Sequence, residues 1–212
     1  MPFLFLGILL VILFVIRGRM NYANRNYGSK VGEFLEAERE ANEARRRDIP
    51  EELFYRPDVS AFSLPRVALG GSEDAADKLR ESILALAKTP MLRFGPGMTN
   101  RELKLTYGAA NIDFIAECEE NFNDFVNRLH EYSAALYAAG MLDDAETNML
   151  ECVRAGTGAA APYRLIADVC AEKRDAEGFE SLREAAEDAD MEMLIKNRIL
   201  EYIDSKKING AE

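Results

Sequence analysis

The stretch AAGMLDDA, residues 138–145, decides the fold. Upstream of it Phe125, Leu129, Tyr132 and Leu136 recur at helical spacing, and downstream Ala145, Met149 and Cys152 do the same. Gly140 can end the first helix in the left-handed conformation. Asp143 and Asp144 suit the positive end of the second helix, and Ala145 is small enough for two helices to approach closely. The stretch therefore reads as the joint of a helical hairpin.

Its residues also resemble a tetratricopeptide repeat, in which a Gly ends helix A, an Ala follows five residues later and a larger apolar residue comes four after that. Here those places hold Gly140, Ala145 and Met149. A shift by the family's period of about 34 residues takes Leu129 to Tyr163, Tyr132 to Ile166, Ser133 to Ala167, Leu136 to Cys170 and Cys152 to Ala186. Other places depart from the pattern, since Gly140 falls on Arg174, Ala145 on Phe179 and Met149 on Arg183. The resemblance covers roughly residues 123–190, and a plain helical hairpin shares much of the motif.

The rest of this half extends the helical pattern. Ser72 reads as a cap before a stripe of Leu79, Ile83 and Leu86 that Pro90 ends, and Thr99 and Glu102 stand at capping-box spacing for a helix that runs to Gly108. A helix after Asn111 carries Ile112, Ile115 and Phe122 and either continues or breaks near residues 121–123. Residues 191–207 carry Leu194, Ile195, Ile199, Leu200 and Ile203 largely on one side, as a terminal capping helix does. No alternating β-branched run appears, so the fold is expected to be all-α, with helical hairpins stacked as a short TPR-like array over residues 72–212.

The N-terminal end is of another kind. From Met1 to Ile16 there is no charged side chain, and then Arg17, Arg19, Arg25 and Lys30 precede the first acid, Glu33. A cleaved secretory signal would want a basic start and a small-x-small site, and both are missing. Residues 1–16 are expected to be a single transmembrane anchor, short against the roughly 20 residues that a bilayer core asks for. The cations that follow it place the N-terminus outside and the C-terminal domain in the cytoplasm.

Residues 17–71 join anchor and domain. Residues 29–48 are rich in Glu, Ala and Arg and read as a solvated spacer helix about 30 Å long that Pro50 stops, a coiled-coil partner being the alternative. The segment after it, with Pro57 and Pro65, is forced into an extended path. Leu53, Phe54, Tyr55, Phe62 and Leu64 make it too apolar for a free linker, so it is either a strap laid over the chain's own helices or a docking peptide for a partner.

Composition narrows the chemistry. The net charge of −11 argues against nucleic acid as a partner. Cys118, Cys152 and Cys170 form no C-x-x-C pair and read as small buried apolar residues of a reducing compartment. There is no phosphate loop, dinucleotide fingerprint, H-E-x-x-H or G-x-S-x-G pattern, and His130 is the one histidine. No enzyme activity, metal, cofactor or small-molecule substrate is therefore expected.

What the repeat resemblance implies instead is a groove lined by helix A, which would present Asn127, His130, Ala134 and Tyr137 from the first copy and Arg164, Asp168 and Glu172 from the second. Asn127, His130, Tyr137, Arg164 and Asp168 are the candidate partner-binding residues, unless the face is merely solvated. Repeats of the family that grip a C-terminal carboxylate want an Asn where Ala134 and Asp168 stand. The expected role is a membrane-anchored scaffold or adaptor for a protein or peptide partner, or alternatively a structural or assembly subunit of a membrane complex.

Overall fold

A computed structural model describes residues 15–20 and 30–210, the side chains of the last two of these excepted. The chain divides into two compact units, one made of the residues up to Asp48 with Thr99–Ile112, the other of Ile49–Met98 with Asp113–Glu212. Helix dominates both, and the described residues are all-α apart from one antiparallel pair of two-residue strands, β1 (Phe54–Tyr55) and β2 (Met91–Leu92). No helix among the described residues is long and apolar enough to cross a membrane. Residues 1–14, on which the expected anchor almost wholly rests, lie outside the described residues.

In the smaller unit residues 30–42 form helix α1 and Asn100–Tyr107 form α3. The expected capping box closes α3: Thr99 Oγ1 accepts from Glu102 N–H, and the Glu102 carboxylate accepts from Thr99 N–H at 2.7 Å. The spacer helix, however, ends seven residues before Pro50. Residues 44–47 are drawn off the helical path because Ala44 C=O accepts from Ala109 N–H, Arg47 N–H donates to Tyr107 C=O at 3.0 Å, and Asn111 Nδ2 donates to both Arg47 C=O and Tyr107 C=O. Gly108 makes this possible, with φ of 91° and its Cα so near the other strand of chain that a Cβ would lie 2.5 Å from Arg45 O.

The larger unit holds α2 (Glu73–Leu86), α4 from its second residue (Ile112–Ala138), α5 (Leu142–Arg154), α6 (Ala160–Lys173), α7 (Ala176–Asp188) and α8 (Met193–Gly210). Ser72 caps α2 as expected, accepting from Ala75 N–H. Helix α4 runs unbroken through residues 121–123, because Phe122 and Phe125 are both buried there and Asn121 turns its amide outward to Pro90 C=O. Helix α6 packs on α5, α7 and α8, and α7 packs on α8. In α8 Ile199 and Ile203 are buried, whereas Leu194, expected on the same side, is exposed.

Both ends of α7 lie 34 residues after those of α5. Six of the places paired by that shift are buried at both positions, Leu129 with Tyr163, Tyr132 with Ile166, Ser133 with Ala167, Leu136 with Cys170, Ala145 with Phe179, and Cys152 with Ala186, whereas buried Met149 falls on Arg183, which reaches out to Glu187 and Asp204. The joint repeats as well. At the end of α4, Gly140 N–H donates to Tyr137 C=O and Met141 N–H to Leu136 C=O; at the end of α6, Arg174 N–H donates to Ala171 C=O and Asp175 N–H to Cys170 C=O. Gly140 has φ of 76° and Arg174 φ of 54°, the one non-glycine residue with positive φ among those described.

An L-residue in that conformation costs about 1–2 kcal/mol, and glycine returns roughly 0.5–1 kcal/mol of this as extra freedom of the unfolded chain. The exposed Arg174→Gly is therefore expected to stabilise the protein by about 0.5–1 kcal/mol. The midpoint of thermal unfolding should rise by roughly 1–4 °C. A fall would show that the guanidinium holds a contact worth more than the backbone strain.

Candidate interaction surfaces

Three of the five expected binding residues come together. Tyr137 near the end of α4 lies close to Glu172 and Asp168 of α6, and their negative charge adds to burial in raising its phenol pKa. Arg164 and Asp168 sit one turn apart on α6, Arg164 exposed and Asp168 half-buried. Asn127 is exposed on α4, one turn before His130, which is half-buried; desolvation lowers the His130 pKa against the opposing pull of Glu131.

The sequence reading missed that α8 joins this face. Tyr202 donates its hydroxyl hydrogen to Asp168 at 2.9 Å, and Lys206 Nζ stands 2.6 Å from the same carboxylate oxygen. The Tyr202 ring has the Arg164 guanidinium 5.4 Å and the Lys206 ammonium 5.3 Å from its centre, within cation–π range. The carboxylate beside it raises the Lys206 pKa, and burial raises that of Tyr202. One more 34-residue step would have found both residues, since it leads from Asp168 to Tyr202 and from Glu172 to Lys206.

A second surface lies on α4 and α5, and the chain itself fills it. Tyr55 meets Phe122 edge-on with ring centres 5.6 Å apart, and Phe62 lies 5.6 Å from Phe125. Beyond these rings, Asn148 grips the backbone of Ser63 at both ends: Ser63 N–H donates to Asn148 Oδ1 at 2.8 Å, and Asn148 Nδ2 donates to Ser63 C=O at 2.8 Å. The Tyr132 hydroxyl donates to Pro65 C=O, and Ser63 Oγ to Asp144. Residues 54–65 are thus a strap over the chain's own helices. Asn148 is wholly buried, and a 34-residue shift pairs it with Leu182, as it pairs Tyr132 with Ile166. Each polar atom stands in the copy that carries the strap, where an extended backbone is present to satisfy it.

Two cavities open on this unit. One of about 230 Å³ is lined by Arg93, Phe94, Glu119, Phe122 and Asp190, and Arg93 donates from its guanidinium to Asp190 C=O. The other, of about 470 Å³, lies beside Phe54, Arg56, Lys88 and Phe114. A trio of possible metal donors, Glu146, Cys170 and Asp175, is already engaged: Lys173 Nζ is 2.5 Å from Glu146, Asp175 caps α7 by accepting from Gly178 N–H at 2.9 Å, and burial pushes the Cys170 thiol up to about 12. All three cysteines are buried free thiols.

Comparison with family models, with curated proteins and with solved structures gives no match. The two surfaces therefore rest on geometry alone.

Proposed function

We propose that the chain is a membrane-anchored interaction module whose short TPR-like array holds a protein or peptide partner on the cytosolic side. The observation that carries this reading is the convergence of Tyr137, Arg164 and Asp168 with Tyr202 and Lys206 on one partly exposed face of α4, α6 and α8. Tyrosine and arginine are the side chains that most often dominate binding energy. A face mixing carboxylates with cations and phenol rings suits a polar segment of mixed charge. The 34-residue recurrence of α5 in α7, with its repeated joint, supports the repeat resemblance. Uncharged residues 1–16, followed by arginines, support the anchor and its direction.

Replacing Tyr137 and Arg164 together by alanine should abolish capture of the partner from detergent-solubilised membranes. Membrane partition should stay as in the parent and the fold should persist with a modest fall in its unfolding midpoint, since Arg164 is exposed and Tyr137, though packed on the core, is only partly covered. If the double variant captures every protein that the parent does at equal yield, the face is not the binding surface, and an assembly subunit becomes the better reading.

A further inference from the structure

Half of the large exposed apolar side chains among the described residues fall within residues 15–35: Val15, Ile16, Met20, Val31, Phe34 and Leu35, out of twelve. Soluble surfaces scatter such residues singly, so a group of them on one short helix asks for a covering. On α1 the three apolar residues share one arc of the helix, with Val31 47%, Phe34 63% and Leu35 61% exposed. Further along that arc the helix is already committed, for Glu38 pairs with Lys104 at 3.2 Å and Ala41 is wholly buried. The opposite arc carries Glu33, Glu36 and Glu40, all exposed. Arg39 lies between Glu36 of the same arc, at 4.0 Å, and Glu43 just beyond the helix, at 3.9 Å.

We propose that Val31, Phe34 and Leu35 rest in the headgroup–acyl boundary of the bilayer, so that α1 lies along the membrane surface. This rests on the anchor reading above and adds to it a second, surface-bound contact. Lipid is the occupant because of continuity along the chain: the uncharged run of residues 1–16 ends at Arg17, and the apolar arc of α1 begins fourteen residues later. A surface helix buries its apolar face about 5–10 Å deep while its charges stay in water, and here the acids stand on the far arc. The three side chains supply the apolar area that drives such binding, and the acidic arc adds no attraction to anionic lipid, so zwitterionic lipid is the favoured surface.

The chain contains no tryptophan, so Phe34→Trp gives a single reporter ring. The full-length variant is reconstituted into vesicles of zwitterionic phosphatidylcholine, with and without bromine on the acyl chains near the headgroup. Emission should shift to the blue, and about half of the intensity should be lost to the brominated lipid, as a ring ~5–10 Å deep requires. Leu35→Trp should behave alike, while Glu36→Trp, on the opposite arc of α1, should be quenched less. If the variants sediment with the vesicles but emit as in water, the surface contact is overturned and the anchor stands. A blue shift without bromine quenching that grows with protein density means that a second copy covers the arc, which also overturns it. Failure to sediment at all refutes the anchor and this contact together.

Discussion

Phe125→Ala is expected to lower stability by about 3–5 kcal/mol, the usual cost of emptying a buried aromatic site. Phe125 is wholly buried and meets two of the strap's three rings, Tyr55 at 6.2 Å and Phe62 at 5.6 Å between centres. Its loss therefore removes core packing and the platform on which residues 54–65 lie. Two measurements separate these effects. Denaturant unfolding gives the loss of stability, and limited trypsin digestion at the exposed Arg66, which directly follows the strap, reports the hold on it. A loss below about 1 kcal/mol would show that the cavity refills by collapse, contrary to the close packing of this cluster. A large loss with trypsin cleavage no faster than in the parent would show that the backbone hydrogen bonds alone fasten the strap.

Asn148→Leu tests those bonds from the other side. Leucine stands 34 residues on, at buried Leu182 of α7, so the change suits an apolar helix face. It leaves Ser63 N–H and C=O without their partner, and each unsatisfied group costs about 1–3 kcal/mol if it stays buried. The strap escapes part of this by lifting into water, so a loss of about 2–4 kcal/mol is expected, with faster amide exchange at Ser63. Both substitutions act on one element, so Phe125→Ala and Asn148→Leu together should cost less than the sum of the two. Additive losses with unchanged exchange at Ser63 would mean that the two residues act apart and that the strap is held elsewhere.

What the sequence discloses here is what depends on neighbours along the chain. The capping box of Thr99 and Glu102, the Ser72 cap and the Gly140 joint are each made within five residues, and each stands as read. The end of α1 is set by residues some 60 positions away, through Ala44, Arg47 and Asn111, so Pro50 misleads. The pairing of β1 with β2 spans two residues on each side, too few for an alternation to register. The candidate face was half legible for the same reason: Tyr137, Arg164 and Asp168 follow from helical spacing, while Tyr202 and Lys206 come from a helix read only as a cap. Asn148 gave one signal, an amide where the shifted copy has leucine, and it becomes meaningful once the strap is known to pass beside it.

The grip of Asn148 on Ser63 also has a consequence in time. The two residues are 85 positions apart, and a ribosome adds about 5–20 residues per second. Residues 54–65 therefore wait roughly 4–17 s for the helix that receives them, with Phe54, Tyr55 and Phe62 uncovered during that interval. A nascent chain of this protein should thus present an apolar segment that the finished molecule hides, and cotranslational chaperones should meet it there.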